Sequence, residues 1–218
     1  KQNIEKDPPK GDIKFSLTLS EEQKRAKELI LQKPFNFLIG QAGSGKTLLA
    51  VQIALDMLFK RKVNKIVITR PTVSTEDNGF LPGSEKEKME PWLVPIKSNI
   101  RKVYNKPEIL TKLEENESLE LVSLTHFRGR TFEDCVCIVD EFQNLTKAQL
   151  QMCVGRLGKN ATMIFTGDAH QIDLKFKNDS AIHDISKLDK SDWVNKIVLH
   201  DNHRHESLNE ILRLLNEY

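Results

Sequence analysis

The run Gly40-Gln41-Ala42-Gly43-Ser44-Gly45-Lys46-Thr47 constrains this chain more than any other stretch. It fits G-x-x-x-x-G-K-[ST], in which glycines let the backbone turn tightly and aim N–H groups at phosphate oxygens. The apolar run Phe35 to Ile39 before it reads as a buried strand. Residues Thr47 to Lys60 read as a helix with Leu48, Val51, Leu55 and Leu58 on one side. A helix N-terminus at this point adds partial positive charge. Lys46 is placed to reach β- and γ-phosphates, and Thr47 to offer its hydroxyl to Mg²⁺. A chance glycine-rich turn has no reason to match every fixed position between a strand and a helix.

A chain of 218 residues suits one α/β domain, with room for an inserted subdomain. Aromatics make up only 6 %, which predicts an aliphatic core. Charges are nearly balanced at net +2, so any nucleic-acid site must be a local patch and not bulk attraction. The three cysteines are Cys135, Cys137 and Cys153. Their odd number, with no secretory leader and no run of 18 apolar residues, predicts a reducing cytoplasm and no membrane span. C-x-C with one distant Cys is poor zinc spacing, so buried thiols are expected.

Residues 1–15 are polar, with Pro8, Pro9 and Gly11, and read as a flexible lead-in. Ser20 followed by Gln23 has the form of a capping box, opening a helix to about Leu31. Gln23 is open to two readings: that cap, or an amide donating to and accepting from an adenine edge. Lys65 to Thr69 is a second strand, and Arg70 stands at its carboxyl end, where open α/β sheets bind ligands. Arg70 is read either as a site or nucleic-acid contact or as a solvated loop arginine. Residues 73–83 form a long loop, and residues 85–104 a helix that Pro91 and Pro95 should kink or break. The stretch of about 73–118 reads as a helical insertion.

Leu119 to Leu124 is a third strand, followed by a compact cationic loop with Arg128 and Arg130 around Gly129. Arginine suits bidentate phosphate contact, and a phosphate partner is favoured there over a solvated turn because the strand end aims the loop at the ligand side. Cys135 to Val139 is a continuous apolar strand ending in Asp140-Glu141. Asp140 is suited to holding Mg²⁺ and Glu141 to activating a water. Their bland role is to cap the helix expected over residues 146–157. Ala161 to Thr166 is a strand leading to Gln171, either a γ-phosphate contact or a loop-stabilising amide. A short helix over residues 180–188, a strand over 195–199 and a helix over 207–218 complete the chain. Arg204 lies before the last helix as a cation for a transferring phosphoryl group, and His200, His203 and His205 around it form poor metal spacing.

The ordered set Gln23, the phosphate loop, Thr69-Arg70-Pro71, Asp140-Glu141-x-Gln143, Gly167-Asp168-x-x-Gln171 and Asn202-x-Arg204 resembles the first RecA-like domain of superfamily-one helicases. Gly79-Phe80-Leu81-Pro82-Gly83, Arg128-Gly129-Arg130-Thr131 and Asp140-Glu141-Phe142-Gln143-Asn144 narrow the resemblance to the PhoH family of ATPases. It runs from about Leu17 to Tyr218. Phe142 departs from it, since many relatives have a small residue there; its side chain is expected to point away from the acids. The resemblance implies an α/β P-loop NTPase fold, RecA-like, with a mostly parallel sheet and helices on both faces, as a single domain over residues 16–218. It implies ATP and Mg²⁺ as ligands, with Gln23 at adenine and Gly40 to Thr47 at the phosphates. It also implies Thr47 and Asp140 on Mg²⁺, Glu141 as base, Gln171 as sensor and Arg204 on phosphate. The family is associated with phosphate starvation, is common in phages and is linked to RNA, so RNA or single-stranded nucleic acid is an expected partner, with helicase activity as one outcome. The chain has no room for a second domain of about 150 residues. A homo-oligomer, a hexamer in form, is therefore expected to complete the site, with Arg204, Arg128 or Arg130 supplied in cis or in trans. The alternative is an ATP-driven switch acting on a protein partner; a small-molecule kinase is disfavoured, because Glu141 and Gln171 suit water activation.

Overall fold

The computed structural model describes residues 15–71, 85–106 and 108–201, with Ser207, Ile211 and Leu214, and side chains within the helix starting at Glu85 from Val94 onward. The expectations for residues 1–14, for the loop at 73–83, for His203, Arg204 and His205 and for most of the last helix lie outside the described residues.

Six strands make one sheet: β1 (Phe35–Gly40), β2 (Lys65–Arg70), β3 (Leu119–Ser123), β4 (Cys135–Asp140), β5 (Thr162–Gly167) and β6 (Val194–Leu199). Their order is β3-β2-β4-β5-β1-β6, and all five pairings are parallel. Parallel neighbours need crossovers, which helices supply, so the central strands are covered on both faces and read as unbroken apolar runs. β4 is buried at every position.

The two-residue period sends alternate side chains to opposite faces. Leu38, Ile66, Ile68, Val136, Ile138 and Ile164 meet α1 (Glu21–Ile30), α2 (Lys46–Phe59), α3 (Glu85–Val103) and α4 (Ile109–Glu115). Phe37, Val67, Cys137, Val139, Met163 and Phe165 meet α5 (Lys147–Val154) and α6 (Ile185–Leu188). The first face is mostly aliphatic, as expected, with Phe59 buried in it beside Tyr104. The second is not: Phe37 stacks on Phe165 with centroids 4.5 Å apart, and Phe142 meets Phe37 edge-on at 5.5 Å. A low aromatic content did not prevent the phenylalanines from gathering on one face. Phe142 thus turns into this core, away from the acids.

α2 lies under the sheet and is buried from Leu49 to Phe59. Asp56 within it is held by Lys27 of α1 at 2.7 Å and Lys60 at 3.0 Å. α3 is helical throughout, so the break expected at Pro91 and Pro95 is absent. An interior proline costs about 3 kcal/mol. Ile96, Ile100 and Val103 are completely buried against the α2 side, and each such burial is worth roughly 1.5–3 kcal/mol. α5 ends at Val154, short of the expected 157, with Gly155 at its C-cap. The helix expected over 180–188 is a 3₁₀ turn, Ala181–Asp184, followed by the short α6.

Candidate active site

Gly40, Arg70, Asp140 and Gly167 end four parallel strands on one lip of the sheet. From Gly40 the chain turns through the phosphate loop into α2. Gly43 and Gly45 have φ of 91° and 78°, left-handed values that other residues adopt only with strain. A side chain at Gly40 would bring its Cβ within 2.7 Å of Leu199 O and Ser44 Oγ. Gly45 caps α2 without any side-chain hydrogen bond, leaving the first amides of the helix to a ligand. Lys46 Nζ donates to Gly40 O at 2.7 Å and Gln41 O at 2.9 Å, which draws its charge over the loop.

A cleft of about 590 Å³ opens beside this loop. Ala42, Gly43, Gly45, Lys46 and Thr47 line it, as do Glu141, Asp168 and Gln171. Gly40, Gln41 and Ser44 belong to the loop but do not line this cleft. Leu17, Leu19, Gln23, Gln52, Asn99 and Lys102 are also part of the lining. The capping reading of Gln23 is borne out, its Oε1 accepting from Ser20 N–H in a complete capping box, and the residue also lines the cleft. Gln52, Asn99 and Lys102 were not legible in the sequence. They reach the cleft because α3 packs on α2, and no local motif marks them.

Thr47 Oγ1 donates to Asp140 Oδ1 at 2.8 Å, and Thr166 Oγ1 donates to the same oxygen at 2.5 Å. The sheet order explains this, since Asp140 pairs with Thr166 across β4 and β5. A carboxylate and a hydroxyl next to a phosphate loop are hard oxygen donors, which fits Mg²⁺. Glu141 follows with φ 54° and ψ 42°, a left-handed conformation for a residue with a long side chain. Such strain costs on the order of 1–3 kcal/mol and persists only where the surroundings impose it. Gln143 is completely buried beside it, and its Nε2 donates to Glu141 Oε2 at 2.5 Å. Gln171 Nε2 donates to Asp168 Oδ2 at 2.9 Å, so Gln171 stabilises its loop and also faces the cleft.

The arginines separate. Arg70 lies 4.0 Å from Asp140 Oδ2 and 3.9 Å from Glu141 Oε1, at the site itself. Arg128 is exposed and lines a different groove of about 310 Å³ with Ser123, Thr125 and Gln149. Arg130 does not stand free for phosphate. Both its terminal nitrogens bind Glu120, at 2.7 and 2.8 Å, and its guanidinium lies over Phe132. That bidentate pair holds the Glu120 carboxyl below the usual range, despite an opposing push from burial. The three cysteines are buried free thiols, and burial pushes Cys153 up to about 12. No described helix is long and apolar enough to cross a membrane.

Residues 17–216 match the family model of PhoH-like proteins. A PhoH-like protein of Mycobacterium leprae is 36 % identical over 200 residues, covering 90 % of this chain and 57 % of the relative. One from Bacillus subtilis is 45 % identical over 139 residues, covering 63 % of this chain and 43 % of the relative. The chain thus spans about half the length of these relatives. In fold it is similar to the large terminase of a thermophilic bacteriophage, with a TM-score of 0.56 at 9 % identity over 93 % of this chain and 51 % of that one. A second structure of that terminase, in complex with ADP, has a TM-score of 0.52 at 11 % identity and covers 92 % of this chain and 51 % of its own. With a P-loop NTPase sheet beneath the motifs and a family match along nearly the whole described length, the chain belongs to the PhoH-like family.

Proposed function

We propose that residues 16–218 form one Mg²⁺-dependent ATP-hydrolysing domain whose turnover is coupled to RNA or single-stranded nucleic acid. The observation that carries the reading is the 2.8 Å hydrogen bond to buried Asp140 from Thr47, which lines a cleft that Lys46, Glu141 and Gln171 also line. Loop amides and Lys46 bind the phosphates, and Gln23 stands where a nucleobase can pack and hydrogen-bond. Thr47 and Asp140 are the residues that would hold Mg²⁺, which when bound screens the β- and γ-phosphate charge. Glu141 takes a proton from the attacking water, and Gln171 contacts the γ-phosphate. Arg70 stabilises negative charge beside the acids.

Nucleic-acid coupling is supported by the exposed Arg128 groove and by Arg70, both at carboxyl ends of neighbouring strands. A homo-oligomer with an arginine given in trans is part of the same reading, with Arg204 or Arg128 as donor. The test is ATPase rate with Mg²⁺, alone and with single-stranded RNA, single-stranded DNA or duplex, with mass measured in the same buffer. Stimulation by single strands supports coupling. Hydrolysis indifferent to every polynucleotide points instead to a switch acting on a protein partner. Full activity in a monomer removes the trans arginine.

A further inference from the structure

Gln143 belongs to none of the roles above, yet its amide touches three parts of the site. Nε2 donates to Glu141 Oε2 at 2.5 Å and to the Gln171 carbonyl at 2.9 Å. Oε1 accepts from Asp168 N–H at 3.1 Å. The orientation of the amide is fixed by this pattern. Asp168 N–H can only donate and needs the oxygen, so the two N–H donors must face the carboxylate and the carbonyl. The backbone is tied as well, since Ser180 Oγ donates to Gln143 O at 2.5 Å. Gly167 makes room: a Cβ there would lie 2.6 Å from the Phe142 ring and 2.9 Å from Gln143 Oε1. A completely buried amide with three hydrogen bonds, packed close to Gly167, is held in one orientation.

The geometry points to Gln143 as a positioning residue that holds Glu141 and the Asp168–Gln171 turn in one fixed relation. The inference rests on the reading of Glu141 as base. A purely architectural Gln143 needs only the bonds to Asp168 and Gln171, which complete the turn. The third bond goes to a side chain that walls the cleft, on a residue already held in a left-handed backbone. Through it, displacement of Gln171 displaces the base, and the γ-phosphate contact and the proton acceptor move as one unit.

Gln143→Leu removes the three amide bonds at similar volume. It should lower kcat for ATP by about 10²-fold while the Kd of a fluorescent ATP analogue stays within about threefold. In a Glu141→Gln background the same substitution should lower the residual rate by less than about threefold, because the group it positions is gone. Equal losses in both backgrounds, or a folded Gln143→Leu with wild-type kcat, overturn the proposal. Leu leaves the Asp168 N–H without an acceptor, so folding is followed by circular dichroism and Gln143→Glu serves as the second variant. It keeps that acceptor but sets a carboxylate against Glu141, and should lose kcat to a similar extent with its fold intact. Wild-type turnover by folded Gln143→Glu also overturns the proposal. A wild-type chain that binds the analogue but never hydrolyses ATP sinks the ATPase reading, and the positioning role with it. Hydrolysis by wild type with additive losses sinks the positioning role alone.

Discussion

Arg70 ends one strand of the sheet and Arg130 follows another; the sequence favoured a phosphate partner for Arg130 and left Arg70 open between a site or nucleic-acid contact and a solvated arginine. The fold treats them differently. Arg130 meets Glu120 with two parallel hydrogen bonds and lies over Phe132, a closed arrangement that leaves its charge compensated. Arg70 meets Asp140 and Glu141 only at 3.9–4.0 Å, beyond hydrogen-bond distance, so its donors are not fixed by those acids. A guanidinium locked in a fork contributes to stability. One held loosely beside two acids at a strand end adds less to stability, and its effect on turnover tests the role proposed for it. Charge at the lip should therefore matter for turnover, and charge on the β3 edge for folding.

Glu141→Gln gives the largest break at the lip. It should reduce kcat by about 10²–10⁴-fold while nucleotide binding persists, measured by single-turnover hydrolysis and analogue fluorescence. Full turnover would remove Glu141 from the base role. Arg70→Ala comes next, with a loss of about tenfold in kcat and less than about 0.5 kcal/mol in stability. If it unfolds the chain without altering kcat, the contrast between the two arginines is reversed.

Arg130→Leu should do the opposite. A bidentate surface pair is worth about 1 kcal/mol, so the melting temperature should fall by about 2–4 °C with kcat unchanged. Loss of polynucleotide stimulation in this variant would restore the phosphate role that its pairing argues against. The smallest effect is on pH dependence. The hydrogen bond from Arg130 holds the Glu120 carboxyl below its ordinary value. For Asp56, burial pushes upward, but hydrogen bonds from Lys27 and Lys60 outweigh it and the net shift is also downward. A depressed folded pKa gives stability that is present above the unfolded value near 4 and is lost as pH falls through the folded value. Urea melts between pH 7 and pH 3 should show this loss, and Glu120→Gln should flatten part of the slope.

The elements that local pattern specifies were legible before the fold was known. The phosphate loop, the capping box at Ser20 and Gln23, and the apolar run ending in Asp140-Glu141 all appear where expected. The break expected in α3 was not found, because tertiary burial of Ile96, Ile100 and Val103 opposed a local penalty. The aromatic face was missed because alternation along the strands, and not overall composition, gathers the phenylalanines. Lys102 and Asn99 were missed because they enter the cleft from a helix more distant in sequence than any motif extends.

The sequence by itself determined that a strand, a glycine loop and a helix start follow one another, because φ, ψ and the direction of N–H groups are set over a few residues. It determined the identity of the acids at the end of β4 for the same reason. Only the tertiary structure decided which of those groups meet. Strand order places β5 between β4 and β1, and this brings Thr166 onto Asp140 and the Asp168–Gln171 turn onto Gln143. The same order leaves Arg70 beside the acids, while Glu120 closes on Arg130. These are contacts between side chains on different strands and turns, and their distances follow from sheet register and packing, which no local pattern records.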